Sequence, residues 1–84
     1  MTENEISRVI LQSAIEVHRT LGGPGLLESV YEEALVWELQ QQGLSVNRQV
    51  NLPIPYKGQT LASLLRIDLI VGDLVIVECK AVAQ

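Results

Sequence analysis

The sequence predicts an α+β domain in which two N-terminal helices pack on a three-stranded antiparallel meander. Three observations predict it. Apolar residues first recur every three or four positions, they switch to alternation from residue 46, and glycine-containing turns mark each change. No internal repeat, low-complexity tract or linker interrupts the 84 residues, so they form one domain.

Between about Asn4 and Leu21, Ile6, Val9, Ile10, Ala14, Val17 and Leu21 line one helical face. Gly22-Gly-Pro-Gly25 stops this helix. A second is expected from about Leu26 to Gln42, ended by Gly43 in the left-handed conformation. At about 100° per residue, Leu27, Tyr31, Ala34, Leu35 and Leu39 form one apolar arc, and Glu28 falls inside it. An inward Glu28 needs a partner, a proton or a metal; a Glu28 that only sits in the first turn complements the helix dipole. Glu32 and Glu33 read as solvated, and His18 and Tyr31 as packing residues. Leu26, Val30 and Trp37 form a second apolar stripe, suited to the first helix or to another chain.

From Val46 to Tyr56 the alternation puts Val50, Leu52, Ile54 and Tyr56 on one face of a half-buried strand. Pro53 and Pro55 on the other face mark it as an edge. Lys57-Gly58 turns the chain into a second strand, about Gln59 to Val71, and a third follows from about Val75 to Ala81. The loop between these last two decides where the charges go. With a two-residue Gly72-Asp73 turn, Asp68 and Glu78 lie on opposite faces and both faces bury charge. With a three-residue loop, Val71 pairs with Val75, and Asp68 stands across from Glu78 with Arg66 across from Lys80. Glycine at the first turn position suits the shorter loop. The cost of burying unpaired ions favours the longer one, which leaves one face free of charge.

Two carboxylates about 5 Å apart across adjacent strands, with an ammonium two residues beyond one of them, make a hard, oxygen-rich site. Mg²⁺ or Mn²⁺ matches such ligands, with water and a substrate phosphate completing the octahedron. Lys80 would position the attacking water or stabilise the charge that develops. The competing reading is a cross-strand network in which Arg66 and Lys80 neutralise Asp68 and Glu78.

Composition limits the alternatives. With 48% hydrophobic and 19% charged residues the chain is globular, and its net charge of −4 excludes a broadly basic surface for nucleic acid. Any phosphate contact is therefore local or metal-mediated. The single cysteine, Cys79, excludes an internal disulfide and the usual zinc sets. No apolar run reaches the roughly 20 residues of a membrane span, and Met-Thr-Glu-Asn-Glu lacks the basic start of a signal peptide, so a cytoplasmic location is expected.

Asp68 followed by Glu78-Cys79-Lys80 resembles the D…E-x-K signature of the PD-(D/E)XK nuclease superfamily. Gly25-Leu-Leu-Glu28-Ser-Val-Tyr31 is similar to the motif that names the GxxExxY proteins assigned to that superfamily. Gln49, Pro53, Tyr56-Lys57-Gly58 and Arg66-Ile-Asp68 agree as well. The resemblance implies the N-terminal part of a restriction-endonuclease-like core and metal-dependent hydrolysis of nucleic acid. In it Asp68 and Glu78 are metal ligands, the Cys79 carbonyl a further ligand, Lys80 the catalytic lysine and Glu28 an additional acid. It also implies a helix and strand after E-x-K, so the 84 residues are expected to be a truncated domain. The alternative function is a catalytically inactive interaction module that covers its apolar surface by homodimerisation.

Overall fold

A computed structural model describes residues 1–22 and 27–79. Two helices, α1 (Glu3–Leu21) and α2 (Glu28–Gln41), precede three strands, β1 (Val46–Tyr56), β2 (Gln59–Val71) and β3 (Val75–Val77). The sheet is antiparallel in the order β1-β2-β3, so the proline-bearing β1 is an edge as predicted. Among the described residues, no helix is long and apolar enough to cross a membrane.

Local chemistry sets the helix ends. Thr2 caps α1 through a capping box: its side chain accepts from Glu5 N–H, and the Glu5 carboxylate accepts from Thr2 N–H. Helix α2 has no side-chain cap at Leu27, but it ends in a Schellman motif. Gly43, at φ +81°, donates to the Gln40 carbonyl, and Leu44 donates to that of Leu39. Leu44 then packs against the core. Gly23, Pro24, Gly25 and Leu26 of the predicted turn and helix start lie outside the described residues.

The core forms where both helices meet one end of the sheet. Ile6 and Val17 of α1, Leu35, Val36 and Leu39 of α2, and Leu69 and Val71 of β2 are buried together. Val75, Val77 and Cys79 pack at its margin. The β1–β2 hairpin runs on beyond the helices, and the molecule measures 46 × 34 × 17 Å. Leu52, Tyr56, Leu61, Leu64 and Leu65 on that arm are exposed. The half-buried strand expected from alternation is therefore half-buried only at Val46, Val50 and Ile54.

Strands β2 and β3 pair Val71 with Val75, Ile70 with Ile76 and Leu69 with Val77. This is the three-residue register. Both turn preferences are met within it: Gly72 and Asp73 take left-handed φ values of 60° and 59°, Leu74 N–H donates to the Val71 carbonyl, and Leu74 is the extra residue. Strand β3 is shorter than the predicted Val75 to Ala81. It ends at Val77, and the Cys79 N–H donates to the Asp68 side chain, at 2.8 Å from Oδ2. A side-chain acceptor has taken over from the backbone ladder.

Candidate functional site

Three strands bring the candidate residues into rows. Within β1–β2 the pairing of Arg48 with Leu69 and of Val50 with Ile67 leaves Gln49 beside Asp68. The last β2–β3 pair is Leu69 with Val77, so the ladder stops one residue short of Glu78, and the Cys79 N–H bonds to the Asp68 side chain instead. In the next row Asn51 pairs with Arg66. Arg66 and Asp68 share a strand face by alternation, opposite to that of buried Ile67 and Leu69.

Asp68 is half-buried and holds the Cys79 N–H on Oδ2, while Glu78 is exposed. Cys79 is half-buried against the core. Burial, followed by the like charges of Glu32, Asp68, Glu78 and Glu28, pushes its thiol up from an ordinary 9.0 to about 11. The thiol therefore stays protonated at neutral pH and is not a nucleophile. Lys80 lies outside the described residues.

The inward, buried Glu28 expected from the helical wheel is corrected. Glu28 is the first residue of α2 and is exposed, because the core contacts of this helix begin one turn later. The buried acid is Glu32, which the sequence reading left in solvent. It is 6% exposed, lined up with Leu35, Val36 and Leu39. Its spacing of one heptad before fully buried Leu39 was the available signal. His18 is likewise exposed rather than packed, and Trp37 is exposed beside a groove of about 290 Å³ lined by Val17, Leu21 and Ala34.

Glu32 is satisfied by β1. Arg48 Nε lies 3.4 Å from Oε1, and Gln49 Nε2 donates to both carboxylate oxygens at 2.9 and 3.2 Å. Gln49 Oε1 in turn accepts from Arg66 Nε. A continuous chain of polar contacts thus runs from the buried side of α2 to Arg66. Gln49 adopts φ +51°, a left-handed value uncommon for a residue other than glycine, inside a strand. Neither Arg66 nor Lys57 forms an ion pair with Asp68 or Glu78 among the described residues. The cross-strand neutralisation of these acids by Arg66 is therefore absent.

Asp68 and Glu78 are hard oxygen donors of the type that Mg²⁺ and Mn²⁺ take. Among the described residues no three His, Cys, Asp or Glu side chains are grouped closely enough to hold a metal ion. The donor chemistry fits a cation that keeps most of its ligands as water or substrate oxygen, as Mg²⁺ commonly does with one or two carboxylates.

A family model described as the PD-(D/E)XK nuclease superfamily matches residues 4–84. No curated protein and no solved structure matches the chain.

Proposed function

Since the chain belongs to the PD-(D/E)XK nuclease superfamily, whose members generally depend on divalent metal, we propose that it hydrolyses nucleic-acid phosphodiester bonds with Mg²⁺ or Mn²⁺. We assign it within that superfamily to the GxxExxY proteins. The observation that supports the reading is the bond from the Cys79 N–H to Asp68 Oδ2, which holds the residue after Glu78 against the Asp68 carboxylate. In this reading Asp68 and Glu78 hold the cation, with the Cys79 carbonyl as a further ligand and Glu28 as an additional acid. When bound, the cation would polarise the phosphodiester and lower the pKa of a bound water. Lys80 would stabilise the charge that develops on the phosphate. The Cys79 N–H orients the Asp68 carboxylate by fixing one of its oxygens.

The test is a cleavage assay with Mg²⁺ or Mn²⁺ on the 84-residue chain and on Asp68→Asn, Glu78→Ala and Lys80→Ala. Each substitution should lower the rate by about 100-fold or more. Cleavage that survives both Glu78→Ala and Lys80→Ala comes from a contaminant, and the proposal fails. One observation favours a second reading, an inactive nuclease-derived module that homodimerises: the apolar side chains exposed along the β1–β2 arm. A monomeric mass in solution sinks it.

A further inference from the structure

We propose that Arg66 is a phosphate-binding residue whose guanidinium is aimed by Gln49, and that buried Glu32 is the positioning residue that fixes Gln49. This rests on nucleic acid being the substrate, and it adds to that reading a clamp outside the D…E-x-K residues.

The starting point is the amide of Gln49. Both oxygens of the Glu32 side chain accept from the NH₂ end of the amide. That leaves the carbonyl end, Oε1, for Arg66 Nε. Without Glu32 the two orientations of the amide would be nearly equivalent, and one of them would present donors to Arg66. The strained backbone at Gln49, φ +51°, accompanies this arrangement, and strain of about 1–3 kcal/mol persists only where surroundings enforce it.

The second point is the charge that remains. The acceptor on Arg66 is a neutral amide, and only one of its N–H groups is used; the Nη groups have no protein acceptor among the described residues. A guanidinium held by Nε presents these donors as a fork, the geometry that matches two phosphate oxygens. Most other described cations are engaged: Arg19 with Glu16, Arg48 with Glu32, and Lys57 over the Tyr56 ring at the arm's tip. In a chain with net charge −4 and six Lys and Arg residues, a positioned cation two residues from Asp68 has a disproportionate effect on where a polyanion lands.

The experiment is fluorescence anisotropy of a short labelled DNA duplex with the full chain at several salt concentrations, without divalent cation, and with cleavage in Mg²⁺ measured in parallel. Arg66→Ala should weaken binding about tenfold or more and lower the salt slope by about 0.9, the value of one duplex phosphate contact. Arg66→Lys should keep the slope and recover only part of the affinity. Gln49→Met should weaken binding with the slope unchanged, because the charge stays and its aim is lost. Arg66 is exposed, so its variants should keep the wild-type denaturation midpoint, whereas Gln49→Met takes two hydrogen bonds from buried Glu32 and should lower the midpoint, so its binding is read under conditions where it is folded. Unchanged affinity and slope in Arg66→Ala overturn the proposal, as does a wild-type chain that binds no duplex. Cleavage with an unmoved KM in Arg66→Ala sinks the clamp and leaves the nuclease reading. Arg66-dependent binding without cleavage does the reverse.

Discussion

The two ends of strand β2 have similar apolar content and opposite fates. Leu61, Leu64 and Leu65 near its start are exposed, while Ile67, Leu69 and Val71 near its end are buried. Side-chain type does not separate them; coverage does. Ile6 and Val17 of α1 and Leu35, Val36 and Leu39 of α2 close over the end of the strand and nothing among the described residues closes over its start. Asp68 falls just inside the covered segment and Arg66 just outside it. The candidate site therefore sits at the border, where a carboxylate gains from reduced solvent screening and a polymeric substrate still has access.

Truncation at each end measures the difference directly. Leu69→Ala should cost about 2–5 kcal/mol, as for a fully buried leucine, whereas Leu64→Ala should stay within about 0.5 kcal/mol. Denaturant midpoints report both. Equal losses would break the comparison, since they would mean that the arm is packed against something in solution. A smaller contrast comes from two turn glycines, both with left-handed φ, Gly58 at +77° beyond the arm and Gly72 at +60° beside the core. An alanine Cβ at Gly58 meets nothing within 4 Å, but at Gly72 it would lie 2.9 Å from Ile6 Cδ1. Both substitutions should lose about 1–2 kcal/mol to the backbone. Gly72→Ala should lose about 1 kcal/mol more to overpacking, and Ile6→Val in the same chain should recover part of that excess. Identical losses at the two glycines would show that Ile6 moves aside.

Much of this was legible in the sequence. Apolar spacing gave the helices and strands, Gly43 the end of α2, and the cost of burying ions chose the register that pairs Val71 with Val75. What stayed hidden depended on tertiary partners. Glu32 lies beside Glu33 in sequence and resembles a solvated pair until Arg48 and Gln49, 16 and 17 residues later, are brought to it. Glutamine carries no signal for a left-handed backbone, so the turn of Gln49 toward Glu32 could not be read. The end of β3 was equally hidden, because it requires Asp68 to act as an acceptor for Cys79 N–H rather than only as a candidate ligand.

The finest test of the border uses Cys79 as a probe of the acids around it. Burial first, then Glu32, Asp68, Glu78 and Glu28, raise its thiol from 9.0 to about 11. The rate of iodoacetamide alkylation should therefore rise with a midpoint near pH 11. A raised folded value means that the unfolded chain releases this proton first. The thiol's contribution to stability is thus complete below pH 9 and is lost as the pH climbs toward 11. Cys79→Ala should flatten the stability profile across that window. Asp68→Asn removes one of the like charges and should shift the alkylation midpoint downward by a fraction of a unit. If Asp68 and Glu78 hold the cation as proposed, saturating Mg²⁺ should act in the same direction, because it would offset the charges that hold the proton on sulfur. A midpoint that responds to Asp68→Asn but not to Mg²⁺ would keep the electrostatic border and remove the metal from it.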